Sequence, residues 1–329
     1  MRGRALRLTM LVGVLWGLVT VVAGPAGAKA VDTLTSRDGI AFRSITVDDQ
    51  TRLERVSHDP QLVATLDEPL TLRLVEPGGQ RVVLGSPLPK GADTYHPGGR
   101  ASTHLVVVDV TTGATRAYDL NRNVEPEAFG VGSPTLFVID HHPARNPTYY
   151  RVASMSLETG QFSKLAGPDK SSLEDMVGTA RQQVYASSGR QLYTLYAQPK
   201  DADLAASSKV PSESFVHVLD LGGNWAYCVD LPESFGRGSA RSAGIALDPS
   251  GNTLYVADAR ARKLAALDTR RLEQNALINN EPPITVVALP RSVTRHSAIA
   301  LTTTATGVSI TAGSAHFTYD PATAAWINS

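Results

Sequence analysis

Cysteine is almost missing from this 329-residue chain: Cys228 is the only one. An intramolecular disulfide is therefore excluded. Its neighbourhood, Trp225 to Leu231, reads as a strand, with no basic residue nearby to hold a thiolate. The expectation is a buried thiol packed as a small hydrophobe. Net charge is missing too, since 31 basic residues face 31 acidic ones. A chain that tracks phosphates would carry a basic excess or stripe, so nucleic acid is not read as a partner. Catalytic signatures are also absent. There is no H-E-x-x-H, no C-x-x-C, no phosphate loop and no G-x-S-x-G, which disfavours hydrolases built on those devices. Helix-period runs of useful length are lacking, and no apolar run after the N-terminus could span a bilayer.

The N-terminus has the parts of a secretory leader. Arg2, Arg4 and Arg7 precede an apolar run from Leu8 to Ala23, and Ala28-Lys29-Ala30 offers small residues around a cleavage point. Residues 1–30 are read as a signal peptide, removed after Ala30. An uncleaved anchor is the alternative. Residues 31–329 are read as one secreted, extracytoplasmic, monomeric domain, because strand-hairpin units continue without an interdomain linker.

What is present in abundance is period-two alternation. In Ala243 to Leu267, Ile245 and Leu247 alternate with their neighbours, and so do Leu254 and Val256. Asp248 to Asn252 form the turn between them, and a third strand starts at Lys263. An apolar strand, Asp or its equivalent, a small turn and a second strand recur around Asp109-Gly113, Glu158-Gly160, Asp220-Gly223 and Asp320, and by a longer excursion after Asp268. Asp can accept hydrogen bonds from turn amides, and Gly takes positive φ, so local chemistry alone explains the recurrence. Leu70 to Leu84 is a weaker copy. Paired with intervening hairpins, these make four-stranded units of roughly 45 to 55 residues, the mark of propeller blades. The expected fold is all-β, a single propeller of six blades, with seven as the alternative. One blade could be completed by pairing the two chain ends.

Gly251-Asn252-Thr253-Leu254-Tyr255-Val256, followed by Leu267-Asp268-Thr269, resembles the YVTN-type propeller repeat. Ser188 to Tyr193 echoes it one blade earlier. With Glu125 to Phe129 and Phe215 to Leu221, the chain also looks like secreted actinobacterial propeller proteins of unassigned function. The resemblance implies fold and export but no activity.

In such propellers the inner strands line a channel, and the segments leading into them build one mouth. Applied to this sequence, that mouth would collect Glu125, Glu127, Glu174, Asp175, Arg241, Arg295 and His296. Loops further out would add Asp140, His141, His142, Arg145, Asp258, Arg260 and Arg262. Adjacent histidines on a strand point to opposite sides, so at most one of His141 and His142 can face the channel. His104 and His217 read as histidines satisfied by local hydrogen bonds. The leading functional expectation is a binding module for a protein, peptide or envelope glycan, with no catalytic residue and no resident cofactor. Its binding set is Glu125, Glu127, His141, Arg145, Glu174, Asp175, Arg241 and His296. The alternative is a lactonase-like hydrolase using Ca2+, for which Glu125 and Glu174 would be the oxygen ligands. A quinoprotein-like redox propeller lacks its repeated tryptophans. Oxygens converging in the channel would favour the hydrolase; a salt-bridged mouth would favour binding.

Overall fold

The structure, a computed structural model, describes residues 30–167, 175–197, 214–272, 284–304 and 307–328. The leader reading for residues 1–29 lies outside these, as does Glu174.

Each sheet is four consecutive antiparallel strands in chain order. Blade 1 is β1 (Ala30–Thr35), β2 (Ala41–Val47), β3 (Gln50–Val56) and β4 (Gln61–Leu66). Blade 2 is β5 (Thr71–Val75), β6 (Arg81–Gly85), β7 (Thr103–Asp109) and β8 (Thr115–Leu120). Blade 3 is β9 (Asn123–Phe129), β10 (Thr135–His142), β11 (Tyr149–Ser156) and β12 (Phe162–Lys164). Blade 4 is β13 (Thr179–Tyr185), β14 (Gln191–Ala197), β15 (Ser214–Asp220) and β16 (Trp225–Asp230). Blade 5 is β17 (Ala243–Leu247), β18 (Thr253–Asp258), β19 (Lys263–Asp268) and β20 (Ile284–Ala288). Blade 6 is β21 (Ile299–Thr304), β22 (Gly307–Ala312), β23 (Ala315–Asp320) and β24 (Ala325–Asn328). The protein is a six-bladed β-propeller.

The outer hairpins form as the Asp-Gly chemistry requires. Asp109 Oδ1 accepts from the amides of Thr111 at 3.0 Å and Thr112 at 2.8 Å, while Gly113 adopts φ 71°. Asp220 and Asp320 cap their turns likewise, through Gly222 and Ala322. In blade 3 Ser156 takes the Asp role, accepting from the amides of Glu158 and Thr159.

Packing joins the blades in series. Phe42, Leu53, Leu72 and Val106 fill the gap between blades 1 and 2. Leu105, Phe129 and Met155 fill the next, and Phe137, Tyr150, Tyr196 and Phe215 join blades 3 and 4. Tyr193, Val216, Ile245 and Val256 join blades 4 and 5, and Tyr255, Leu301 and Phe317 join blades 5 and 6. Among the described residues no such apolar cluster spans blades 6 and 1.

Four expectations need correction. The chain ends do not share a blade: β1 to β4 form the first sheet and β21 to β24 the last, each by itself. The first blade starts at Ala30, upstream of the strands anticipated from Ile40 onward. The weaker Leu70–Leu84 copy is the inner hairpin of blade 2, and β7 with β8 is its outer one. Cys228 is exposed, not buried. It lies on β16, the outermost strand of its sheet, where no further strand covers it.

Candidate functional site

The inner strands of blades 2, 3 and 4 share one irregularity. In β9, Ala128 faces Phe137 and Pro126 faces Val138, so Glu127 is an extra residue with no partner across the ladder. Arg73 holds the same place in β5, and Arg181 in β13. Such bulges re-aim a side chain and bend the strand. Pro126 can sit in β9 because the innermost strand is a sheet edge, where the missing N–H costs no ladder bond.

Glu125 and Glu127 are 1% and 4% exposed. Glu125 accepts a hydrogen bond from Arg100 and lies 3.7 Å from Arg73 Nε. Arg100 also donates to the Val124 carbonyl at 2.6 Å. Burial pushes the Glu125 carboxyl up, against the opposing pull of both guanidiniums. Asp32 on β1 is likewise raised by burial and pulled back by Arg73 and Ser44. Two carboxylates and two guanidiniums thus balance one another on this side of the channel.

Glu127 is in a different setting. Gln183 Nε2 donates to it at 2.7 Å, and the Tyr95 hydroxyl donates at 3.3 Å. Among the described residues no cation pairs with it, and burial raises its carboxyl to about 7.

Tyr95 comes from the connection between β6 and β7, residues 86–102, which crosses from blade 2 over blades 3 and 4. Thr94 contributes its carbonyl to His141 Nε2–H at 3.0 Å. That bond fixes the His141 tautomer, and burial lowers the ring to about 4, so it is neutral. Asn123 Nδ2 donates to the carbonyls of Gly98 at 2.8 Å and Ala144 at 2.9 Å. Gly99 passes so close to the β10–β11 loop that a Cβ there would stand 1.9 Å from the Arg145 carbonyl. Glycine is required at this crossing.

The structure brings together Glu125, Glu127 and His141 of the expected set, all buried beneath this connection. Arg145 meets it through its backbone alone, with an exposed side chain. Asp175 is exposed and paired with Arg151 at 2.5 Å. Arg241 and His296 are exposed and are not part of the buried group. Arg295 and Arg260 are exposed as well. Asp258 is buried, capping the Gly236 and Ala261 amides. Asp140 accepts from Arg122 at 2.6 Å and lies 3.0 Å from His142 Nε2. Of the expected mouth residues, the structure thus gathers Glu125, Glu127 and His141 in a buried group and leaves Asp175, Arg241 and His296 at the surface. The residues that complete the buried group, Asp32, Arg73, Arg100, Tyr95 and Gln183, were not in the expected set. His104 is satisfied between Asp119 and Glu68 as anticipated, but His217 is not, because its Nδ1 is buried without a partner.

A second concavity, about 630 Å³, opens among the inner-hairpin turns of blades 1 to 4. Arg37 and Arg81 line it, but each is paired, with Asp38 and Glu76 respectively.

Among the described residues no three His, Cys, Asp or Glu side chains come together to hold a metal ion. None of their helices is long and apolar enough to cross a membrane.

No protein-family profile matches the chain, and no curated protein matches it in sequence. Solved structures do resemble it. The β-propeller domain of the trilobed protease from Pyrococcus furiosus is 9% identical, with 88% of this chain and 81% of that one covered and a TM-score of 0.42. A putative 6-phosphogluconolactonase from Bacteroides uniformis is 12% identical over 88% of this chain and 77% of that one, TM-score 0.40. TolB from Acinetobacter baumannii is 12% identical, covering 89% of this chain and 58% of that one, TM-score 0.37. The chain is similar to these proteins in being a propeller, and at such identities the likeness extends to no activity.

Proposed function

We propose that this propeller is an extracytoplasmic binding module that recognises a protein, peptide or envelope component on its channel face. The observation that carries the reading is that the buried carboxyls at the channel are engaged, Glu127 by hydrogen bonds from Gln183 and Tyr95 and two others by guanidiniums. Glu125 is held by Arg100 and Arg73, and Asp140 by Arg122. A carboxylate engaged in this way is not free to ligate a hard cation or to take a proton from water. Removal of residues 1–30 and a monomeric domain over residues 31–329 belong to the same reading.

The test compares binding with turnover. Purified residues 31–329 are titrated by calorimetry with envelope glycan fragments and with a peptide library, and in parallel with Ca2+ and simple lactones. Saturable binding of a glycan or peptide that is recovered unchanged is the expected result. A rise in the unfolding midpoint with Ca2+, together with Ca2+-dependent lactone opening, would overturn it in favour of the hydrolase.

A further inference from the structure

The inner strands β1, β5 and β9 approach one another in sequence, as do β13, β17 and β21, but β9 and β13 do not approach in the same way. The Tyr95 side chain occupies the space between them. Its hydroxyl donates to Glu127 at 3.3 Å and accepts from Gln183 Nε2 at 3.3 Å. Its ring meets Tyr196 edge-on, with centroids 5.7 Å apart, and tilts against Tyr150 at 6.1 Å. A carboxyl and an amide at the closed end, with aromatic walls, form a receptor for a phenol.

The walls have polar capacity that Tyr95 does not use. His217 Nδ1, beside the Tyr196 ring, is buried without a hydrogen-bond partner. Burying unpaired polar groups is costly, so the resident side chain fits this space incompletely.

The segment carrying Tyr95 is a turn closed by its own hydrogen bonds. Asp93 Oδ1 accepts from the amides of Tyr95 at 2.8 Å and His96 at 2.7 Å, and Asp93 and His96 exchange backbone bonds at 3.2 Å. The turn is also held from outside, by Tyr95 at Glu127 and Gln183. Its outside contacts include His141 to Thr94 and a 3.4 Å contact from His96 to Thr179. The firm anchors lie at Gly98 and Arg100. Gly91 and Gly98 flank the turn at φ 84° and 78°, and Gly91 stands in open space.

We propose that Tyr95 is a resident stand-in for a ligand, and that the 93–96 turn swings out to yield its pocket to a phenolic group supplied by a free phenol or by a tyrosyl side chain of a partner. This deepens the binding-module reading and rests on it.

The test uses Tyr95→Ala and the unaltered protein, each titrated by calorimetry with p-cresol, with N-acetyl-tyrosinamide and with toluene. Tyr95→Ala is expected to bind p-cresol at least about tenfold more tightly than toluene, because Glu127 and Gln183 reject an occupant without a hydroxyl. Adding Glu127→Ala should erase that preference. In the unaltered protein, hydrogen exchange at residues 91–97 should rise when p-cresol or N-acetyl-tyrosinamide saturates. Binding of p-cresol alone identifies a small phenol as the source; equal or tighter binding of N-acetyl-tyrosinamide identifies a chain-borne tyrosine. A folded Tyr95→Ala that binds neither phenol, or binds toluene equally well, overturns the proposal. So does phenol binding to the unaltered protein with no change at 91–97, a measurement that stands even where Tyr95→Ala fails to fold. These failures leave the broader reading to its own glycan and peptide titrations.

Discussion

Gln183 on blade 4 donates a 2.7 Å hydrogen bond to the carboxyl of Glu127 on blade 3. That bond is the polar link between two inner strands that otherwise stand apart. It also sets the protonation of the group, because an amide in place of a cation leaves burial unopposed by charge.

The pH dependence of stability should therefore carry a Glu127 signature. Its carboxyl is raised from 4.5 to about 7. Folding then takes up a proton between those values, so this contribution is full below pH 4.5 and is lost as the pH rises to 7. Glu127→Gln should match the parent at pH 4.5 and exceed it at pH 8 by on the order of 3 kcal/mol. Urea midpoints at the two pH values check this, and parallel curves for the two proteins would refute it.

His217 should give the opposite slope. Burial lowers its ring from 6.5 to about 4. The unfolded chain binds the proton first, so stability is present above pH 6.5 and is lost as the pH falls through 4. His217→Leu should flatten thermal midpoints across that window. A variant with the parent's acid limb would mean the ring is not held neutral.

Removing Glu125 should cost far more than an exposed charge would. Glu125→Ala leaves Arg73 and Arg100 facing each other with Asp32 as the carboxylate remaining beside Arg73, and the loss expected for breaking a buried pair is about 3 to 5 kcal/mol. A mouth residue standing in solvent would instead be lost at little cost to the fold. Calorimetric unfolding distinguishes the two, since a loss under about 1 kcal/mol fits the exposed case.

Gly113→Val tests the outer turns. The backbone there is at φ 71°, and an added Cβ would stand 2.9 Å from the Val63 carbonyl on blade 1. A loss of roughly 1 to 2 kcal/mol is expected from the φ strain alone. An unchanged denaturation midpoint would place the turn elsewhere.

Blades were legible because their cause is local. Alternation and the Asp-Gly turns act within a dozen residues, and the Asp109 and Asp248 turns form where the pattern put them. Glu125, Glu127 and His141 could be placed near the channel for the same reason. Their partners could not. Tyr95 lies 32 positions from Glu127 and reaches it from an irregular connection. Residues 86–102, with Tyr95-His96-Pro97 among them, form a long stretch without alternation, and nothing local says where it lands. The bulges were hidden as well. Glu127 leaves the alternation by a slip of register that Ala128 and Pro126 do not advertise. Cys228 was misjudged because an apolar strand reads alike whether another strand covers it or not.

Each sheet is one uninterrupted stretch of chain, and that affects the order of synthesis. A propeller that closes by borrowing a strand must hold one sheet unfinished until its last residues are made. In this chain the first sheet has all its strands once residue 66 has emerged. Each later sheet arrives complete and finds its predecessor's apolar face already formed. Among the described residues no strand pairs with one from another sheet, which spares the nascent chain unfinished edges of the kind through which slow β topologies aggregate.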